Sequence, residues 1–166
     1  MLPVTTLRRP PMALLMVVLI GVVACAKPPQ TPSSPRPTIV DVNLRASQNI
    51  NPDDSGRASP LRLRFYELKS LSVFNSADFF SLYDHDKEVL ATDLVMREEI
   101  QVEPGIQKNF TRKPGQGTTF IAVLAPYRDI DHATWRASME IRSNETTDVE
   151  LKLERLTVSL GPVSRN

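Results

Sequence analysis

From Thr38 onward apolar and polar residues alternate with a period of two, and no other feature restricts the fold so sharply. Trp135, Ala137, Met139 and Ile141 alternate with Arg136, Ser138, Glu140 and Arg142. Val40, Val42, Leu44 and Ala46 alternate with Asp41, Asn43 and Arg45, and Leu61, Leu63 and Phe65 with Arg62 and Arg64. Each run describes a strand with one buried face. Thr119 to Ala125 is continuously apolar after its first residue, as expected of a central strand covered on both faces. Ile100 and Val102 lead to a turn at Pro104-Gly105, and Gln107 to Arg112 is a weaker strand suited to a sheet edge. Glu98 shares the face of Met96, Ile100 and Val102, an anomaly that either a sheet edge or a later strand start would remove. Val149, Leu151 and Leu153 hold one phase and Leu156, Val158 and Leu160 the other, a slip expected of a β-bulge in one long strand. Between the second and third strands the spacing of Phe79, Leu82 and Tyr83 suits a short helix capped by Ser76 or Asp78, with Lys87 to Val95 adding a further turn or two. The fold expected of residues 38–162 is all-β: an antiparallel two-sheet sandwich of about eight strands with a small helical insert. A closed barrel is the alternative, disfavoured because six glycines are few for sharply coiled strands.

The first 37 residues belong to a different regime. Arg8 and Arg9 precede an uncharged apolar run, Met12 to Ala24, which ends on small residues at Cys25. These are the parts of a secretory signal, residues 1–24. Its thirteen apolar residues fall short of the ~20 that a membrane span needs. Val22-Val23-Ala24-Cys25 resembles a bacterial lipobox, which implies diacylglycerol on the Cys25 thiol and an acyl chain on the new amino terminus. Each buried methylene adds about 0.8 kcal/mol, and stable anchoring takes more than one chain. An ordinary signal peptide followed by a buried free cysteine is the competing reading. Ala26 follows the cysteine in place of Asp, which by the proteobacterial sorting rule places the lipid in the outer membrane, facing the periplasm. Pro28, Pro29, Pro32, Pro35 and Pro37 then crowd a segment unable to pack a core. At ~3.1 Å per residue its twelve residues, from Ala26, reach up to ~37 Å. Residues 25–37 form a lipidated tether.

Little in the chain suggests chemistry. Without the signal the chain has 18 basic and 19 acidic groups, so no nucleic-acid partner is expected. One cysteine and two histidines 47 positions apart give poor material for a metal site. Asp84-His85-Asp86 is a candidate acid/base or metal group, but adjacent residues point in different directions; a solvated turn after the helix accounts for it. His132, beside Asp129 and Asp131, has the same explanation. No G-x-S-x-G occurs, and Gly115-Gln116-Gly117 lacks the lysine of a phosphate loop and reads as a hairpin turn. No cofactor beyond the acyl chains on Cys25, no small-molecule substrate and no enzymatic activity are expected. The longest connection, Gln48 to Arg57, joins the first two strands; such loops tend to be functional, though a polar crossover between sheets is the plainer reading.

At this loop a family resemblance begins. Asn51-Pro52, Gly56-Arg57, Ser59-Pro60 and Phe65-Tyr66-Glu67-Leu68-Lys69 start it. Ala77-Asp78-Phe79-Phe80, Leu82-Tyr83, Asp93-Leu94, Pro104-Gly105, Ala125-Pro126-Tyr127-Arg128-Asp129 and Trp135-Arg136 follow in order. From Val42 to Leu160 the chain resembles the TssJ family (also SciN or VasD), outer-membrane lipoproteins of type VI secretion. Tyr127 stands where the family has Phe. The resemblance implies a transthyretin-like sandwich of two four-stranded sheets with a protruding loop. It also implies a partner, the periplasmic C-terminal region of TssM, which works with TssL. Carried over, the contact falls on Asn49, Ile50, Asn51, Pro52, Asp53, Asp54, Ser55, Gly56 and Arg57. Ile50 is the apolar anchor expected at the surface, with Asp53, Asp54 and Arg57 as its polar rim. Asp78, Phe79, Phe80, Leu82 and Tyr83 are expected to dock the insert, Trp135 to fill the core, and Arg128 to pair with Asp129, with contact to the partner as the alternative for each. A lipid-anchored small-ligand carrier is the alternative and needs an apolar cavity. A hydrolase built on Asp84, His85 and Asp86 is the third reading.

Overall fold

The computed structural model describes residues 36–163. The signal segment 1–24, Cys25 and all but the last two residues of the tether lie outside the described residues.

The alternating runs become strands because each apolar set meets a covered face. β1 (Ile39–Ala46) buries Val40, Val42, Leu44 and Ala46. It sits inside a sheet ordered β4-β1-β7-β8, where β4 is Gln107–Arg112, β7 Thr146–Leu153 and β8 Val158–Pro162. The second sheet is ordered β3-β2-β5-β6, with β2 Leu61–Leu68, β3 Leu94–Val102, β5 Phe120–Leu124 and β6 Arg136–Glu140. Val42, Leu44, Leu63, Phe65, Ile121, Val123 and Leu151 pack between the sheets. Full burial of such side chains contributes about 1.5–3 kcal/mol each.

A second core lies on the outer face of the β3-β2-β5-β6 sheet. Tyr66, Leu68, Ala122 and Leu124 are buried there beneath α1 (Ser72–Ser76) and α2 (Phe79–Leu90). This is why the alternation of β2 stops after Phe65: from Tyr66 on, both faces are covered. Asp78 caps α2, its Oδ1 accepting from Ser81 N at 2.9 Å, while Leu82, Asp86 and Leu90 turn inward at spacings of four.

Three expectations change, and of the two explanations for Glu98 the sheet edge holds. Gly115-Gln116-Gly117 is no hairpin turn, because the strands it joins, β4 and β5, lie in different sheets. The phase slip near Leu153 is no bulge. The chain turns back over Glu154–Thr157, where Glu154 N donates to Thr157 O at 2.8 Å, and β7 and β8 form a hairpin. The sandwich is also not wholly antiparallel, since β1 and β7 run parallel with Val42 opposite Val149 and Leu44 opposite Leu151. Glu98 belongs to β3 itself, and on this edge strand it forms an ion pair with Arg112 of the other sheet's edge. On the opposite flank the sheets meet through backbone, with Val158 N donating to Thr134 O at 2.9 Å.

Register fixes the two ends. β1 starts at Ile39 beside the start of β7. Its other end, eight residues or ~26 Å away, opens into the β1–β2 loop, beside the 125–135 connection and the 154–157 turn.

Candidate functional site

The β1–β2 loop has a buried base and an exposed tip. Ile50 is fully buried in the inter-sheet core, so the surface anchor expected at this position is absent; the one large apolar residue of a polar loop is its inward staple. Asn51, 3 % exposed, is the second staple. Its backbone N–H donates to Arg155 O at 2.9 Å, its Nδ2 to Pro60 O at 3.0 Å, and its Oδ1 accepts from Arg128 N at 2.8 Å. The residue holds φ at +45°, in the left-handed region that Asn tolerates better than most.

The tip folds on Asp53. One carboxylate oxygen accepts from Ser55 N at 2.9 Å and Arg57 N at 3.0 Å; the other accepts from the Arg57 guanidinium at 3.0 and 2.9 Å. Gly56 N donates back to Asp53 O at 2.8 Å, which puts Gly56 at φ +79°. The backbone N–H of Arg57 holds the Asp53 carboxyl below its ordinary range, helped by the Arg57 side chain and Ser55 N. Asp54, Ser55, Gly56 and Arg57 face solvent, whereas Pro52 and Asp53 are half-buried. Asn49 is exposed at the foot of the loop, its Oδ1 accepting from the Ser47 hydroxyl at 2.7 Å.

The flanking connection does not pair Arg128 with Asp129 as expected. Asp129 Oδ1 lies 2.7 Å from His132 Nδ1, and this hydrogen bond raises the imidazole pKa. Tyr127 is buried, and its hydroxyl reaches Glu154 O at 3.3 Å.

Asp84-His85-Asp86 does not assemble as one group. It lies within α2, where His85 leaves helical geometry at φ −133°, ψ 30°. Asp84 and His85 face solvent; Asp86 turns inward, its Oδ2 2.9 Å from the Tyr66 hydroxyl, 3.3 Å from Arg64 and 2.7 Å from Arg97. This buried cluster clamps the helix break to the sheet, because Arg64 also donates to Tyr83 O at 2.5 Å. A small-ligand carrier needs a hollow between the sheets, and that space is filled by side chains.

The docking motif of α2 splits. Leu82 is buried, but Phe80 is 63 % and Tyr83 39 % exposed. At 100° per residue Phe80 lies about 120° from the centre of the Leu82–Asp86–Leu90 stripe, a signal present in the sequence. Trp135 is half-buried and packs against both cores.

Comparison with known proteins bears on residues 38–156, which match the model of the type VI secretion lipoproteins VasD, EvfM and TssJ. The chain is 35% identical to the type VI lipoprotein TssJ1 of Pseudomonas aeruginosa, covering 78% of this chain and 99% of that one with a TM-score of 0.74. Serratia marcescens Lip, a membrane-bound component of the type VI secretion system, is 23% identical, with 78% and 100% covered and a TM-score of 0.69. A chain of the structure described as the TssM C-terminal domain (869-1107) from EAEC shares the fold at 22% identity, with 75% and 98% covered and a TM-score of 0.60. No curated protein matches the chain significantly.

Proposed function

We infer from one premise, that the chain belongs to the type VI secretion lipoprotein family of VasD, EvfM and TssJ, that it ties the outer membrane to a periplasmic partner. The membrane end is Cys25, carrying diacylglycerol and an N-acyl chain on the periplasmic face of the outer membrane. The partner end is the tip of the β1–β2 loop, Pro52 to Arg57, which contacts the periplasmic C-terminal region of TssM, the protein that works with TssL. The role is binding, without catalysis. Among the described residues no helix is long and apolar enough to cross a membrane.

One observation carries this reading. The segment bearing Cys25 joins the domain at Ile39, and the braced tip stands at the other end of the same strand. A sandwich entered at one end by the lipid-bearing segment and carrying a pre-ordered loop at the other links two binding events, and linkage raises the effective concentration of the second. Pre-ordering matters because each side chain immobilised on binding costs about 0.5–1.5 kcal/mol.

The test uses the mature chain with Cys25→Ser and the periplasmic region of a cognate TssM in a pull-down. The parent should co-purify with TssM, and Asp54→Lys with Ser55→Lys, which leave the Asp53–Arg57 brace in place, should abolish this without lowering thermal stability. Substitution at the tip is required, because deleting the whole loop would remove Ile50 and Asn51 from the core. Retention of TssM by the substituted tip removes the loop assignment. In cells, Cys25→Ser should release the protein from the membrane fraction; continued membrane association removes the lipid anchor.

A further inference from the structure

The N-terminal half of α2 carries an aromatic shelf for which the loop reading has no use. Phe79 stacks on Tyr83 with ring centroids 5.3 Å apart and planes 13° from parallel, and meets Phe80 and Trp135 edge-on at 5.3 Å each. Phe80 stands outermost, 63 % exposed. The shelf is rigidly mounted. Arg64 lies 4.5 Å over the Tyr83 ring while its Nη1 holds Tyr83 O, and Arg136 Nη1 holds Phe74 O at 2.9 Å and Ala77 O at 2.8 Å. Exposed aromatic rings on a fixed platform are poorly solvated and lose little entropy on contact, the combination found at binding hot spots.

Resting on the loop reading above, we propose that this shelf is a second contact surface for the same partner, and that the partner's matching surface is protein, basic, with an apolar recess for Phe80. Place and charge lead to that occupant. α2 begins over Trp135, just before the first residue of β6, and Thr134 beside it is bridged to the 154–157 turn whose Arg155 O holds Asn51. The shelf and the tip therefore share one end of the sandwich, remote from Ile39, where the Cys25 segment joins. Exposed carboxylates ring this end: Asp78 and Asp84 on the helix, and Asp54, Asp129, Asp131 and Glu154 on the loops. Against the six carboxylates stand Arg57, already paired with Asp53, and Arg62, Arg128 and Arg155, with His132 beside Asp129, so carboxylates remain in excess. An acidic rim repels an anionic membrane and a second copy of itself, and attracts a basic protein surface.

The experiment measures binding of the TssM periplasmic region to the mature lipoprotein in nanodiscs, comparing the parent with Phe80→Ala, Phe80→Lys, Phe80→Glu and the tip variant Asp54→Lys. Phe80→Ala should weaken binding about tenfold or more, chiefly through faster dissociation, at unchanged thermal midpoint. Phe80→Lys should weaken it further than Phe80→Glu. Binding by Phe80→Ala within about twofold of the parent overturns the shelf, on the usual small effect of truncating peripheral contacts. If Asp54→Lys alone loses binding, the loop stands and the shelf falls; if both variants bind as the parent does, both readings fall. If Phe80→Ala weakens binding and Asp54→Lys does not, the shelf stands and the loop falls. A greater loss with Phe80→Glu than with Phe80→Lys overturns the basic partner. Phe80-dependent flotation of Cys25→Ser protein with anionic vesicles, or Phe80-dependent dimerisation in sedimentation, overturns the protein partner in favour of a membrane or a second copy.

Discussion

Asn51 is where the loop's order is decided, and its replacement gives the sharpest check of the site. Its amide pairs two backbone groups, Arg128 N–H at 2.8 Å and Pro60 C=O at 3.0 Å. Asn51→Gly keeps a residue able to hold φ +45° but orphans both groups. At about 0.5–1.5 kcal/mol for each part-buried hydrogen bond lost, the loss is ~1–3 kcal/mol. Asn51→Ala loses the same bonds and adds about 1–2 kcal/mol for a Cβ in the left-handed region. The flexible unfolded chain of the glycine variant returns roughly 0.5–1 kcal/mol of that difference. Alanine should therefore be the worse variant by roughly 0.5–1 kcal/mol. Urea unfolding of the mature Cys25→Ser protein measures this as a shift of the midpoint at constant slope; with slopes of about 1–3 kcal/mol/M, a loss near 2 kcal/mol moves it by about 0.7–2 M. A glycine variant within about 0.5 kcal/mol of the parent, the usual range of a surface substitution, would mean that the two bonds do not brace the loop. An alanine variant more stable than the glycine one would refute the backbone assignment.

Ile50→Ala should cost about 2–5 kcal/mol, as a truncation in a packed core, while molecules that remain folded bind TssM as the parent does. Affinity lost at full folding would return Ile50 to the interface. The Asp53 carboxyl titrates below its ordinary value of 3.8, so its folded-state pKa lies under its unfolded one. The braced tip is thus fully favoured above the ordinary value and loosens as pH falls through the lowered one. Amide NMR shifts of Ser55 and Arg57 should stay constant down to that range and change together below it; a common midpoint at or above the ordinary value refutes the brace. Asp86→Ala leaves the buried Tyr66 hydroxyl unpaired and takes one carboxylate from Arg64 and Arg97, which keep Glu99, and should destabilise by about 1–3 kcal/mol, with Asp86→Asn milder because it still bonds Tyr66. Equal stability of Asp86→Ala and the parent would show the cluster to be idle.

The sandwich was legible because burial on one face writes itself as alternation, from Val40 to Ala46 and again from Leu61 to Phe65. The β7–β8 hairpin was not, because Glu154-Arg155-Leu156-Thr157 has none of the Gly, Pro or Asn that mark a tight turn. A phase change without a turn residue looks the same whether the strand bulges or reverses. Nor does any local pattern tell β1 that its parallel neighbour lies a hundred residues on, at β7. Glu98 shows the same limit: its inward place is visible in the sequence, but the Arg112 that compensates it sits on the edge of the other sheet.

For the site, the position of the β1–β2 loop was legible and the division of labour within it was not. Composition marks a polar segment with one isoleucine, and exposure is the natural guess for Ile50 because the neighbours on both sides are polar. That guess assumes the end of the sandwich is already sealed. It is the loop that seals it: Ile50 completes the inter-sheet core and Asn51 ties the 125–135 connection to the 154–157 turn. A residue pair that closes a core from outside cannot be separated by sequence pattern from a pair that projects into a partner. Both are short-range interruptions of a polar run, distinguished only by what lies across the fold. The consequence bears on function. Ile50 and Asn51 root the loop in the sandwich, and Asp53 orders the tip above that root through its own hydrogen bonds to Ser55 and Arg57, so the surface offered to a partner is shaped within the loop itself.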